Sequence, residues 1–187
     1  MKEYSSILNP LGYELISLAD AGIFEQADET GTTFEENSLI KSTYGHEATG
    51  LPCLADDSGL EIDALCGEPG IYSARYGGEN LSGMDRINLV LRNLETAPSE
   101  NRIARFVCSI SIVGLTPQPL IAQGAISGMI NDKPQGEHGF GYDPIFLLPS
   151  LNRTMAALDP HTKNLISHRA DALQKIIVSL QKLKGVS

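Results

Sequence analysis

The amino-acid sequence predicts an α/β fold, because segments with the two-residue period of strands alternate with segments that carry the apolar stripe of a helix. The strand period is clearest in two long segments, Ile103 to Val113 and Leu120 to Ile130, which a Pro-Gln-Pro break joins. The helical stripe is clearest from about Thr162 to about Lys184. A chain of 187 residues that is 42% apolar can bury one sizeable core. We therefore expect a single domain over residues 1–187 or two closely packed lobes.

The composition excludes several classes of protein. A formal net charge of −9 and the lack of any Lys/Arg-rich run disfavour binding to nucleic acid, although a small phosphorylated ligand needs only a few local basic groups and a metal. No long apolar run and no basic leader occur, so we expect a cytoplasmic protein that does not span a membrane. The three cysteines are odd in number and lack C-x-x-C spacing, which indicates reduced thiols.

The N-terminal part of the chain predicts a helix end at Lys2 to Leu8, a glycine stop at Gly12 and a short strand at Tyr13 to Leu18. Most α/β domains place a strand before their first helix, and this sequence does not.

A second helix is expected to begin at Thr33, because Thr33-x-x-Glu36 is a capping box, and to be weakened by Gly45. Lys41 shares a face of this helix with Asn37. It is either a lysine that extends from a helix edge into solvent or a ligand for phosphate.

The segment Leu51 to Gly78 predicts a strand, a tight turn at Asp-Asp-Ser-Gly and a second strand. Carboxylates at the end of a strand are suited to binding Mg²⁺. Because side chains alternate along a strand, only one of Asp56 and Asp57 can enter a given cleft. The alternative is that both aspartates only bond backbone amides in the turn.

Another helix is predicted to start at Ser82-x-x-Asp85 and to end at Ala97-Pro98. Its apolar stripe consists of Ile87, Val90, Leu91 and Leu94.

Residues 131–149 are rich in glycine and aromatic residues and lead into a strand at Ile145 to Leu148. Phe140 or Tyr142 could stack on a base while Asp143 accepts hydrogen bonds from ring N–H groups. The alternative is a glycine-rich turn without a ligand.

The last predicted helix carries Arg169 in the middle of its apolar stripe, with His168 beside it and Lys163 in its first turn. A buried guanidinium needs an anionic or carbonyl partner. That partner could be a ligand or an internal carboxylate such as Asp143, and the sequence leaves both open.

Several of these features together resemble the inosine triphosphate pyrophosphatase family, also called the non-canonical purine NTP pyrophosphatases. The matching features are Glu29, Lys41, D-D-S-G (56–59), G-I-Y-S-A-R-Y-G-G (70–78), G-F-G-Y-D-P-I-F (139–146) and S-H-R (167–169). The resemblance implies an elongated α/β fold, in which a mixed β-sheet divides two lobes flanked by helices, and a homodimer. It also implies Mg²⁺-dependent hydrolysis of ITP, dITP or XTP to the monophosphate and pyrophosphate.

The resemblance further implies a role for each matching residue. Glu29 and Asp57 would bind the metal, and Asp57 would also be the general base. Lys41 would contact the phosphates, and Ser58 would contact the substrate. The loop that stacks on the base would be Phe140, Gly141, Tyr142 and Asp143, and the residues that recognise the base would be Lys163, His168 and Arg169.

One part of the family pattern is missing from this sequence. The family opens with a strand and a phosphate-binding loop, [T/S]-x-N-x-x-K, whereas this sequence starts just after that loop. We expect an ordinary enzyme whose start codon was assigned too late, because the other motifs remain. The alternative is a truncated protein that binds nucleotides but is catalytically weak or silent. A metal-dependent phosphatase that releases orthophosphate is a third hypothesis.

Overall fold

The computed structural model describes residues 2–98 and 101–185. It contains both helices and a β-sheet, which confirms the predicted α/β class. The helices are α1 (Lys2–Leu8), α2 (Phe34–Thr49), α3 (Gly83–Asn93), α4 (Pro160–Ile166) and α5 (His168–Leu183). The strands are β1 (Cys53–Ile62), β2 (Ile103–Val113), β3 (Leu120–Ile130), β4 (Phe146–Leu148) and β5 (Arg153–Thr154). Of the helices in the described ranges, none is both long and apolar enough to cross a lipid bilayer.

The strands of the described residues form one five-stranded sheet in the order β1-β2-β3-β4-β5. β4 pairs antiparallel with β3 and with β5. The predicted bounds of β2 and β3 are confirmed. When residues are grouped by their mutual contacts, the chain divides into two compact units. The first unit consists of residues 1–57, 109–124 and 171–187, and the second consists of residues 58–108 and 125–170.

The second unit has an apolar core to which β1, β2, β4 and α3 contribute. The predicted stripe of α3 lies in this core, where Ile87, Val90 and Leu94 are buried. The rings of Phe106 and Phe146 pack with their centroids 4.4 Å apart. The stripe predicted from the helical period is therefore confirmed.

α3 begins with the capping box that the sequence predicts. The Ser82 hydroxyl accepts a hydrogen bond from the Asp85 N–H at 3.2 Å, and the Asp85 carboxylate accepts one from the Ser82 N–H at 3.2 Å. Two N–H groups of the first turn are thereby satisfied.

We expect Ser82→Ala to lower the free energy of unfolding by about 1 kcal/mol, because the variant loses the capping hydroxyl. Urea denaturation measures the effect. Ser179→Ala is the matched control, since the Ser179 hydroxyl lies within α5, 3.4 Å from the carbonyl oxygen of Lys175. An equal loss in both variants would contradict a capping role.

In the first unit, α2 packs closely on β2 through small polar side chains. The Ser42 and Ser111 hydroxyls are 2.7 Å apart, and those of Ser38 and Ser109 are 3.3 Å apart. All four are buried. Gly45 contributes to this close packing, because a Cβ there would lie 2.4 Å from the Cys53 Sγ. The helix continues past Gly45 and ends at Gly50, whose φ is +69°.

The prediction of a tight turn between two strands is wrong, because β1 runs through the predicted turn. β1 is one continuous strand through the four residues of the Asp-Asp-Ser-Gly sequence. Asp56 and Asp57 therefore lie in the middle of a strand, and their side chains alternate between its faces. Pairing in the sheet overrides the local preference of Asp, Ser and Gly for a turn.

The predicted strand at Tyr13 to Leu18 is also wrong. Residues 13–17 are not part of the sheet formed by the described residues. They line an apolar cleft of about 800 Å³ in the first unit, together with Phe24, Asp56 and Leu180. Alternating apolar residues thus line a cleft here without a neighbouring strand.

The predicted C-terminal helix is two helices in the structure. Ser167 is extended, with φ −69° and ψ 158°, and separates α4 from α5. Its hydroxyl accepts a hydrogen bond from the Ala170 N–H at 3.1 Å, which caps the start of α5. The N-cap of α4 is Asp159, so the helix begins slightly before the predicted start at about Thr162.

Candidate functional site

Two carboxylates and one ammonium group meet in the first unit, and we call Glu29, Lys41 and Asp57 the acidic cluster. The Lys41 Nζ lies 2.8 Å from the Glu29 Oε1 and 2.8 Å from the Asp57 Oδ1. Glu29 belongs to the segment before α2, Lys41 to α2 and Asp57 to β1. The sequence places these residues far apart, and the close packing of α2 brings them together.

Burial and charge shift the pKa values of two groups in the acidic cluster. Burial would lower the pKa of Lys41, but hydrogen bonds and charges from Asp57 and Glu29 raise it above its ordinary value. Burial, with a smaller contribution from the charge of Glu29, raises the pKa of Asp57 above its ordinary value, although the Lys41 ammonium group acts to lower it. A carboxylate with a raised pKa is a stronger base, as the family resemblance requires of Asp57.

Asn37 connects the Glu29 segment to Asp57, and the sequence analysis did not select it. Its side-chain oxygen accepts a hydrogen bond from the Gly31 N–H at 2.8 Å, and its Nδ2 lies 3.4 Å from the Asp57 Oδ2. The side chain is fully buried. A polar residue on the same helix face as Lys41, four positions before it, was the signal that could have identified Asn37.

Gly31 fits tightly against this side chain. A Cβ at Gly31 would lie 2.6 Å from the Asn37 Oδ1 and 3.0 Å from the Asn37 N. Asn37 therefore fixes the path of the chain close to Glu29.

The acidic cluster fits a divalent cation. One carboxylate oxygen of Glu29 and one of Asp57 face the same position, which the positively charged Lys41 Nζ occupies. Mg²⁺ prefers oxygen ligands, needs only one or two protein carboxylates and retains several waters. Among the described residues, no group of three or more His, Cys, Asp or Glu side chains forms a closed metal site. Two carboxylates suit a metal that is shared with a phosphorylated substrate.

We expect Asn37→Ala to weaken Mn²⁺ binding about 10- to 100-fold, because residues that orient metal ligands typically have effects of that size. Titration calorimetry measures the affinity. Asn93→Ala is the matched control, since the Asn93 amide donates a hydrogen bond to Tyr76 in the second unit. Equal Mn²⁺ affinity in Asn37→Ala and the unaltered chain would contradict the orienting role.

A second cluster lies in the second unit, and we call Phe140, Asp143 and Lys163 the aromatic cluster. The Asp143 carboxylate accepts hydrogen bonds from the Lys163 Nζ and, at 2.8 Å, from the Phe140 N–H. The Lys163 Nζ also lies 4.6 Å from the centroid of the Phe140 ring. Phe140 is 68% exposed, so its side chain is accessible to a planar ligand.

Glycines shape the loop of the aromatic cluster. Gly139 has φ +82°, and a Cβ there would lie 2.1 Å from the Asp143 Oδ2, so any other residue would be strained and would displace this carboxylate. Gly141 also has a positive φ, +59°. Tyr142 is buried in the core, where its hydroxyl donates a hydrogen bond to the Ser73 carbonyl at 2.9 Å. Of the two rings predicted as candidates for stacking on a base, the exposed Phe140 is therefore favoured over Tyr142.

The remaining basic residues occupy different positions from those predicted. Lys163 is in the last turn of α4, where the helix dipole favours a cation, and not in the first turn of a long helix. His168 and Arg169 begin α5, and Arg169 is half-buried. The buried His168 ring stacks on Phe106 at 5.0 Å. Asp143, the carboxylate considered as a partner of Arg169, pairs with Lys163.

Ser58 follows Asp57 on β1 and is half-buried. Adjacent side chains on a strand point to opposite faces, so Ser58 does not extend the face that presents Asp57. Its contact with substrate stays a prediction.

The chain is similar to curated proteins over almost its whole length. It is 46% identical over 176 residues to the dITP/XTP pyrophosphatase of Bacillus subtilis (strain 168), which covers 94% of this chain and 89% of the relative. It is 42% identical over 184 residues to the dITP/XTP pyrophosphatase of Vibrio cholerae serotype O1, which covers 97% of this chain and 92% of the relative.

Solved structures show the same likeness in three dimensions. A HAM1 protein from Coxiella burnetii superposes with a TM-score of 0.91 at 44% identity, over 97% of this chain and 92% of that chain. The Ham1 protein of Staphylococcus aureus gives a TM-score of 0.88 at 42% identity, over 100% of this chain and 93% of that chain. The profile of the Ham1 family matches residues 1–179. These matches confirm the resemblance recognised in the motifs, and the chain belongs to the Ham1 family.

Proposed function

We propose that this chain is a nucleoside triphosphate pyrophosphatase that hydrolyses dITP, ITP and XTP to the monophosphate and pyrophosphate with the help of Mg²⁺. The observation that supports this most strongly is the convergence of Glu29 and Asp57 on one cationic position. Relatives at 40% identity or more are named dITP/XTP pyrophosphatases, which agrees with the proposal.

The acidic cluster has the groups that hydrolysis of a triphosphate needs. When bound, Mg²⁺ would be held by Glu29 and Asp57 and would neutralise charge on the phosphate oxygens. Asp57, whose pKa burial raises, would accept the proton of the attacking water. Attack of that water at the α-phosphorus breaks the bond to the bridging oxygen, and pyrophosphate leaves. Asn37 would hold Asp57 in place during this step.

The aromatic cluster has the groups that recognition of a purine needs. Phe140 offers an exposed side chain for stacking, and the Asp143 carboxylate fixes the Phe140 backbone by accepting a hydrogen bond from its N–H. We propose that Lys163, His168 and Arg169 donate hydrogen bonds to the oxygen at position 6 of hypoxanthine or xanthine. Adenine presents a donor at that position, and a mismatch of donors in a buried site discriminates by about 10⁴ or more.

The homodimer that the family resemblance implies and the cytoplasmic location that the composition indicates stay predictions. Light scattering during size-exclusion chromatography tests the dimer directly. A mass equal to one chain would contradict it.

A panel of nucleotides tests the proposed function. ITP, dITP, XTP, ATP and GTP are incubated with the purified chain and Mg²⁺, and both pyrophosphate and orthophosphate are measured. We expect pyrophosphate from ITP, dITP and XTP, and much slower release from ATP, whose base carries a donor at position 6. Orthophosphate as the first product would identify a phosphatase. Binding of ITP without any product would identify a silent nucleotide-binding module, and either result would overturn the proposal.

A further inference from the structure

Lys41 lies between the two carboxylates that would hold the metal. The resemblance assigns Lys41 to the phosphates, but its ammonium group is within 2.8 Å of both carboxylates that would hold the metal. The side chains of Lys41 and Asp57 are only 25% and 12% exposed, so water screens this contact poorly. Lys41 is thus an internal counter-ion of the metal ligands.

A divalent cation and the Lys41 ammonium group cannot keep the same two oxygen partners. Mg²⁺ binds oxygen at about 2.0–2.1 Å, so both cations would lie within a few ångströms of each other at the same carboxylates. Their repulsion is strong where solvent is partly excluded. The lysine side chain has a flexible four-carbon stem, which allows the ammonium group to move while α2 stays in place.

We propose that Lys41 takes the place of the divalent cation in the metal-free protein and is displaced when the metal binds, which makes metal binding depend on the nucleotide. The inference rests on the proposed function for the identity of the metal ligands. Without nucleotide, metal binding must break two ion pairs of Lys41. With a triphosphate bound, the displaced ammonium group gains an anionic partner. Nucleotide and metal therefore raise each other's affinity by the same factor.

Substitution of Lys41 by methionine tests the inference without any catalytic readout. Mn²⁺ is titrated into the protein without nucleotide, and the heat of binding gives the affinity. We expect Lys41→Met to bind Mn²⁺ about ten-fold more tightly or better than the unaltered chain, because the metal no longer competes with a resident charge. Unchanged or weaker binding in Lys41→Met would overturn the inference.

A matched control separates local competition from the loss of one positive charge in an acidic protein. Lys175→Met removes a lysine of the same unit that forms an ion pair, 2.9 Å from the Asp171 Oδ2. Its Mn²⁺ affinity should equal that of the unaltered chain. An equal gain in both variants would mean that only net charge matters, which also overturns the inference. If Lys41→Met does not fold, Lys41→Gln takes its place with the same expectation.

The same titration with a nucleotide present tests the coupling. The probe is a dITP analogue with a methylene group between the α- and β-phosphorus atoms, which blocks hydrolysis. The analogue should tighten Mn²⁺ binding more in the unaltered chain than in Lys41→Met, and an equal gain in both would overturn the inference.

The titrations and the activity assay can fail independently of each other. If Lys41→Met gains affinity for Mn²⁺ but the unaltered chain releases no pyrophosphate from dITP, the proposed function fails and the displacement of Lys41 stands. If the unaltered chain releases pyrophosphate but Lys41→Met gains no affinity for Mn²⁺, the displacement fails and the proposed function stands.

Discussion

Asp57→Asn should lower the rate of pyrophosphate release from dITP by about 10³-fold or more, since loss of a general base costs 10²–10⁴-fold and a metal ligand is lost with it. The amide has nearly the same shape as the carboxylate, but it carries no charge and cannot accept a proton in the same way. Pyrophosphate release at saturating Mg²⁺ measures the effect. The far-ultraviolet circular dichroism spectrum should stay that of the unaltered chain.

Asp56→Asn is the matched control for this prediction. Asp56 precedes Asp57 on the same strand and lines the apolar cleft of the first unit. The same chemical change there should leave most of the activity. Undiminished pyrophosphate release in Asp57→Asn, or an equal loss in both variants, would contradict the role of Asp57.

Asp143→Ala should lower the free energy of unfolding by about 3–5 kcal/mol, because it leaves the mostly buried charge of Lys163 without its partner. The Asp143 carboxylate is buried and also accepts the Phe140 N–H at 2.8 Å. The exposed ring of Phe140 should therefore lose its fixed position, and the KM for dITP should rise. Guanidinium denaturation and initial rates measure the two effects.

A double-mutant cycle with Lys163→Met is the sharpest control for Asp143. Removal of both charges leaves no unpaired charge, so the double variant should be clearly more stable than the sum of the two single losses predicts. Strictly additive losses would show that the ion pair does not hold the loop.

The parts of the fold that the sequence predicted correctly are those whose pattern comes from burial. The period of β3 and the stripe of α3 follow from one buried face. The bounds of β2 are confirmed as well, although β2 is buried on both faces from Cys108 to Ile112. The capping box of α3 is a local signal that the structure retains.

The parts that failed depend on interactions between distant segments. The Asp-Asp-Ser-Gly sequence of β1 has turn chemistry, but strand pairing determines its conformation. The break at Ser167 falls inside a continuous apolar period, without the Gly or Pro that usually ends a helix. The sequence left the role of Lys41 open, and only the packing of α2 through buried serines shows that it contacts two carboxylates.

Crystals of the unaltered chain soaked in Mn²⁺ and the non-hydrolysable dITP analogue test the central claim most directly. That claim is that Glu29 and Asp57 bind one divalent cation. The account predicts one anomalous-difference peak at about 2.0–2.3 Å from a carboxylate oxygen of each residue, with the Lys41 Nζ moved away from that position. A peak that contacts neither carboxylate, with Lys41 still at its present distance of 2.8 Å from both, would contradict it.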